Sequence, residues 1–266
     1  MLNGLKVAPA LVLAAALLLG LVMAVVWIVA KRIRNAGIVD VAWSANFTLL
    51  AVLYAAFATG FVPRRLLIGA MTIAWSLRLA SYLHRRVMGA HPVEDGRYRK
   101  LRERWAPKVD RRFFWFFQLQ AGLDLVLAAP LLVACMNPEP AIHPLEWAAL
   151  ALWAVALAGE SVADRQLDAF RREPANRGRT CRAGLWGYSR HPNYFFEWLV
   201  WVAYFVFALA SPWGWATVYC PALMLYFLFR VTGIPATEEQ AIRSRGDDYR
   251  EYQRTTSVFV PLPPRA

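Results

Sequence analysis

The sequence predicts an all-α, polytopic integral membrane bundle of about seven transmembrane helices, on three observations. Hydrophobic residues fill 58% of the 266 positions and charged residues only 18%, against about 45–50% and 25% in soluble domains. The apolar residues are gathered into blocks of roughly 20, long enough to cross a hydrocarbon core of about 30 Å. The basic excess, 30 Lys plus Arg against 18 Asp plus Glu, lies between those blocks rather than along one water-exposed face. That placement argues against a nucleic-acid partner and points to lipid headgroups or a phosphorylated small molecule. The length predicts a single membrane domain over 1–266.

The first block, 7–30, outruns the ~7–15 apolar residues of a secretory signal core and is followed at once by Lys31, Arg32 and Arg34. It reads as a retained helix. Further blocks follow at 37–62, 66–84, 113–136, 144–164, 193–211 and 213–232. Only Ser211-Pro212-Trp213-Gly214 separates the last two, which predicts a tight helical hairpin. Residues 85–112 carry ten Lys/Arg against four acids, and residues 165–190 carry seven Arg against two. The tail from Arg230 adds six Arg against five acids, whereas 137–146 has no Lys or Arg. The positive-inside rule then predicts an outside N-terminus and a cytoplasmic C-terminus, with Arg64 and Arg65 on the wrong side.

Several chemistries have no sequence support. Cys135, Cys181 and Cys220 are odd in number and far apart, so no disulfide framework follows. His84, His91, His143 and His191 lack metal-ligand spacing, and no metal is expected. Glycine-loop nucleotide motifs and a serine nucleophile elbow are absent.

The ionisable residues inside or at the ends of the blocks include Asp40, Arg78, Asp124, Glu160, Asp164 and Glu197. Each costs about 2.5–3.5 kcal/mol near a helix centre and so needs a partner or a purpose. For Arg78 and Asp124, local pairing near a helix end weighs as much as function. Glu160 and Asp164 are four apart and share a helix face, with Arg171 two turns further on if the helix continues. Asn193 and Glu197 repeat the spacing in the sixth block. An amide and carboxylates converging near arginines suit a polar ring with its phosphates. Candidate phosphate ligands are Arg85, Arg97, Arg171, Arg179 and Arg190; for most single arginines, topology signalling is the stronger explanation.

The segment Gly184-Leu185-Trp186-Gly187-Tyr188-Ser189-Arg190-His191-Pro192-Asn193-Tyr194-Phe195-Phe196-Glu197-Trp198 resembles the C-terminal signature of the steroid 5-alpha-reductase and sterol reductase superfamily, in its bacterial branch. The tail adds Glu238-Glu239, Gly246, Tyr249, Tyr252 and Phe259-Val260-Pro261. Residues 160–261 carry the resemblance well; the front half carries it only through Asn35 to Trp43 and Glu94 to Arg104. An Arg-His-Pro followed by an aromatic also occurs in isoprenylcysteine and phospholipid methyltransferases, which use S-adenosylmethionine. Asn193 together with Glu197 favours the reductases.

The resemblance implies a helical bundle in a bacterial inner membrane that encloses NADPH, with Asp164, Arg171, Asn193 and Glu197 among the contacts. Arg97, Arg179, Tyr188, Arg190 and His191 are further cofactor-binding candidates, and Glu238, Tyr249 and Tyr252 would close over the nucleotide. The implied reaction is reduction of an activated double bond in a lipophilic, steroid-like enone. The catalytic Gln-Glu pair and Tyr of the animal enzymes have no clean counterparts here. Asp40 is the candidate acid and Tyr98 the candidate tyrosine, within a divergent, substrate-side half (1–112) ahead of a reductase-like half (113–266). The alternatives are a lipid or isoprenoid-thiol methyltransferase and a non-catalytic lipid-binding protein.

Overall fold

The computed structural model describes residues 2–231 and 233–265 and is helical throughout. Eleven α-helices are described: α1 (Leu2–Ile33), α2 (Ile38–Phe57), α3 (Val62–Gly89), α4 (Gly96–Trp105), α5 (Val109–Leu127), α6 (Ala129–Met136), α7 (Pro144–Arg172), α8 (Pro192–Ala208), α9 (Tyr219–Tyr226), α10 (Ile234–Arg245) and α11 (Asp247–Thr255). Six helical stretches are long and apolar enough to cross a membrane: Val7–Ile33, Ile38–Phe57, Val62–Gly89, Val109–Met136, Pro144–Arg172 and Gly214–Arg245. The protein is a multi-pass membrane bundle. The remaining expected span is α8, whose 17 residues sit at the short end of what crosses a bilayer, about 17–25.

Two compact units divide the chain: Met1–Ile142 with Ser211–Gly214, and His143–Ala210 with Trp215–Ala266. In the first, α2 packs on α3 and α1 on α5. Gly69 brings α3 close to Ala55, where an added Cβ would lie 3.3 Å from that methyl group. Ser76 Oγ donates to the Ser44 carbonyl at 2.5 Å, and the Thr48 N–H donates back to Ser76 Oγ at 3.1 Å. These short polar side chains stitch the helices together where water is absent. Trp27 meets Phe114 edge-on at 5.3 Å between α1 and α5. Trp75, Phe47, Leu50, Tyr54 and Phe117 are buried in this unit's core.

The two arginines that run against the expected charge pattern bond to backbone carbonyls. Arg64 is buried, and its guanidinium donates to the carbonyls of Asn137 (3.2 Å), Glu139 (2.7 Å) and Ala141. Arg65 donates to the Ala58 carbonyl. Asn137 and Ala58 are the C-caps of α6 and α2, where a cation is favoured, and Glu139 and Ala141 lie in the loop after α6.

In the second unit α7 packs along α8. His143 and Glu146 begin α7: His143 Nδ1 accepts from the Leu145 N–H at 3.1 Å, and Glu146 Oε2 accepts from the His143 N–H at 2.6 Å. This reciprocal capping satisfies donors that the helix start leaves open. Ala149, Ala156 and Ala163 are fully buried on α7, and Gly159 lets Phe196 of α8 lie against the helix where a Cβ would clash at 2.4 Å.

The last two blocks depart from the expected pair of helices joined by a tight hairpin. After α8 the chain runs through a 3-10 turn (Gly214–Val218), the short α9 and a π turn (Phe227–Val231). Pro221 inside α9 lacks an N–H, and its carbonyl accepts from Trp198 Nε1 of α8 at 3.0 Å. Interrupted backbone at this depth is tolerated because its polar groups find protein partners. Charged regions expected as loops and tail also fold into short helices, namely α4 within 85–112 and α10–α11 at the end.

Candidate functional site

The first unit gathers a polar cluster around the start of α2. Asn35 Oδ1 accepts from the Gly37 N–H at 3.0 Å. From 58 positions away, Glu94 Oε1 accepts the Ala36 N–H at 2.7 Å. Arg102 holds that same carboxylate with two nitrogens, at 2.9 and 3.1 Å. Glu94 thereby fastens the 85–112 segment to the N-terminus of α2, where a negative charge is favoured. One residue later Asp95 caps α4 by accepting the Arg97 N–H at 2.9 Å.

This anchoring brings together the two candidate catalytic residues. Tyr98 Oη donates to Asp40 Oδ1 at 2.6 Å, and Arg97 pairs with Asp40 Oδ2 at 3.0 Å. Arg97 also reaches Asp95 at 3.2 Å. Burial first, and the charge of Asp40 second, push the Tyr98 phenol well above its ordinary range. It therefore keeps its hydrogen at neutral pH. Burial opposes the charge of Asp95, but Arg97 overcomes it and holds that carboxyl below its usual range. Arg97, a candidate cofactor ligand by sequence, is engaged with carboxylates of its own unit.

The second unit holds a distinct group on α7 and α8. Helix α7 runs to Arg172, so Glu160, Asp164 and Arg171 lie along one helix as the spacing predicts. Asn193 Nδ2 donates to Asp164 Oδ1 at 3.3 Å, joining α8 to α7. Glu160 and Asp164 are buried, and Glu197 is partly exposed. Residues 184–187 are pinned on α7 by two bonds: Leu185 N–H to Gln166 Oε1 at 2.9 Å, and Trp186 Nε1 to the Ala163 carbonyl at 2.9 Å. Gly184 adopts φ +57°, and a Cβ there would strike Gln166 at 2.2 Å. The positive φ favours glycine, and a Cβ would also push aside the Gln166 amide that holds Leu185.

That turn delivers Arg190 and His191 to Glu238 of α10. Glu238 Oε1 accepts from Arg190 Nε at 2.7 Å and lies 3.3 Å from His191 Nε2, while Oε2 accepts from Gln253 at 2.8 Å. Arg190 also donates to the carbonyls of Gln253 (3.0 Å) and Thr256 (2.7 Å). Tyr249 approaches Glu238 at 3.4 Å, and the buried Tyr252 donates to the carbonyls of Trp186 and Ser189. Five of the expected cofactor residues, Arg190, His191, Glu238, Tyr249 and Tyr252, thus bond chiefly to protein groups and fasten the tail to the 184–191 turn. Burial, outweighing Glu238, lowers the His191 pKa and favours the neutral ring. Tyr188 is exposed.

Beyond the end of α7 lies a cavity of about 240 Å³ lined by Arg171, Arg172, Arg177, Arg179 and Arg245, with Glu173 as an acid on its wall. Cys181 also borders it; burial pushes its thiol up despite Arg171 and Arg245. Five arginines around one cavity have the chemistry to attract phosphate-like anions. The volume is below the roughly 300–1,000 Å³ of a pocket for a whole drug-sized ligand, so it suits one phosphate-bearing part. Sequence reading found Arg171 and Arg179 but missed Arg172, Arg177 and Arg245, because Arg245 is brought in by folding of the tail.

The model of a family described as "Protein of unknown function (DUF1295)" matches residues 26–256. The chain belongs to this family. The DUF1295 match runs from within α1 to α11 and takes in every residue of both polar clusters. A relative from Schizosaccharomyces pombe (strain 972 / ATCC 24843), "Uncharacterized protein C594.04c", is 28% identical over 270 residues, covering 89% of this chain and 76% of its own length. No solved structure matches the chain.

Proposed function

We propose that this member of the DUF1295 family is an NADPH-dependent membrane reductase of an activated C=C bond in a lipophilic enone, such as a 3-oxo-4-ene steroid. The observation that carries this reading is the arrangement on α7. The Asp164–Asn193 pair lies at one level, and the arginine-lined cavity begins at Arg171. Asp164 and Arg171 are seven residues apart, or about 10 Å along the helix, a separation a dinucleotide spans. The family's relation to steroid 5-alpha-reductase-like membrane proteins supports the same reading.

The residues present fit this cofactor. The cavity's guanidinium groups suit its phosphates, and the Asn193 amide with the Asp164 carboxylate suits a carboxamide-bearing ring. When bound, NADPH supplies a hydride. That hydride would go to the β-carbon of the enone, with the π pair taken up at the carbonyl oxygen, and solvent would supply the proton for the α-carbon. Tyr98 is assigned to polarise the carbonyl. Its hydroxyl keeps its hydrogen at neutral pH and is a donor of the kind that stabilises an enolate-like charge. Asp40, itself paired with Arg97, orients the Tyr98 hydroxyl.

Thermal-shift titration of detergent-purified protein with NADPH, NADH and S-adenosylmethionine tests the assignment. NADPH is expected to raise the melting temperature most. Stabilisation by S-adenosylmethionine with none from NADPH overturns the reading in favour of a methyltransferase.

A further inference from the structure

Away from both clusters, a buried polar contact joins α2 and α5 inside the first unit. Asn46 Nδ2 donates to Asp124 Oδ2 at 2.6 Å. Asp124 is fully buried, Asn46 is 1% exposed, and both lie within spans long and apolar enough for the bilayer. Two oxygens at this contact have no hydrogen-bond partner: Asp124 Oδ1 and Asn46 Oδ1. Among the described residues no Lys or Arg forms an ion pair with Asp124, and Asn46 is its hydrogen-bond partner.

The donor and acceptor inventory makes this an unfinished arrangement. An ionised carboxylate only accepts, and a carboxamide offers two donors and one acceptor oxygen. With Asp124 ionised, a single hydrogen bond forms and two buried acceptors remain unmet, beside a charge with no counter-ion. One added proton changes all three. On Asp124 Oδ1 it removes the charge, turns that oxygen into a donor, and provides the hydrogen that Asn46 Oδ1 lacks. The result is the cyclic pair that carboxylic acids and amides form in apolar media, with O–H donating to the amide oxygen and N–H donating to the acid oxygen.

We propose that Asp124 and Asn46 form a proton-binding site: Asp124 is a neutral carboxylic acid in the folded protein, its Oδ1–H donating to Asn46 Oδ1. The pair clamps α2 to α5 and stands apart from the reductase reading, which uses neither residue. The same two orphaned oxygens would otherwise need a bound cation or a trapped water, and the experiment separates these outcomes.

The test is infrared spectroscopy of the full-length protein in lipid vesicles at neutral pH, with wild type compared against Asp124→Asn. The expected difference spectrum contains a protonated carboxyl C=O band that moves down in D2O and shifts in Asn46→Leu. In Asp124→Asn an amide N–H replaces the O–H toward Asn46, so its melting temperature should stay within about 3 °C of wild type. Should that variant fail to fold, the exchange Asn46→Asp/Asp124→Asn keeps one acid and one amide and must retain both the band and the fold. A difference spectrum showing only loss of a carboxylate stretch overturns the proposal. So does a melting temperature that depends on sodium or potassium in wild type and not in Asp124→Asn, which points to a cation instead.

Discussion

Tyr98 and Asp40, 58 positions apart, share a hydrogen bond of 2.6 Å. The contact exists because Glu94, four residues before Tyr98, accepts the Ala36 N–H just ahead of α2 and is itself held by Arg102. A basic, aromatic-bearing segment is thereby fixed to the start of a membrane helix.

Removing the phenol tests its assigned role. Tyr98→Phe keeps the ring against Phe116 and loses only the hydroxyl. Its turnover of an enone by NADPH should fall by about 10²- to 10⁴-fold, with NADPH affinity unchanged. Steady-state kinetics alongside cofactor titration reads both quantities.

Glu94→Gln should act more mildly on the same step. The amide can still accept from Ala36 but loses the charge that pairs with Arg102. Turnover is expected to drop while the substrate's KM changes little. Full turnover in this variant would show that the anchoring of α4 does not matter to the reaction.

The arginine cavity should set the preference between dinucleotides. Arg171→Ala and Arg179→Ala each remove a charged donor, typically about 1.5–3 kcal/mol, so NADPH affinity should fall by roughly ten- to a hundredfold. NADH, without the 2′-phosphate, should be weaker in wild type, and at least one of the two variants should narrow the gap between the cofactors. Titration calorimetry with both cofactors decides it.

At the other end of the proposed cofactor site, Asn193→Ala and Glu197→Gln should each weaken NADPH binding by about five- to a hundredfold, with the bundle still folded. If either change instead lowers the melting temperature of cofactor-free protein and spares affinity, that residue is a structural partner.

Acid should loosen the second unit through His191. Its folded pKa lies below the ordinary 6.5, first because of burial. Between those two values the unfolded chain binds a proton that the folded chain does not, so stability rises with pH there and falls on acidification. Wild type should therefore lose melting temperature as pH drops below about 6.5. His191→Gln should flatten that slope, measured as melting temperature against pH.

Much of this was legible in the sequence where chemistry and helical period coincide. Glu160, Asp164 and Arg171 fall along α7, and Asn193 reaches Asp164, because spacing on continuous helices carries over directly into geometry. The seven apolar blocks mark where helices form, yet the last one breaks into α9 flanked by 3-10 and π turns, since hydropathy does not report the backbone's regularity. Contacts between distant segments were hidden. Nothing near Ala36 signals Glu94, and nothing near Arg171 signals Arg245. Asp124 stood out as a charge in an apolar block, while its partner Asn46 is one uncharged residue in a different block. Arg190, Tyr249 and Tyr252, read as cofactor residues, bond to the protein's own carbonyls and to Glu238, roles for which a sequence has no separate mark.

The central claim is hydride transfer from NADPH to a lipophilic enone. The most direct measurement incubates vesicle-reconstituted protein with NADPH deuterated at the transferable position and a 3-oxo-4-ene steroid, then reads the product by mass spectrometry and NMR. The account predicts a saturated ketone with one deuterium on the β-carbon, formed by wild type and strongly reduced in Tyr98→Phe. If deuterium-free product forms, or the cofactor binds tightly and remains unoxidised across a panel of lipophilic enones, the reductase account is contradicted.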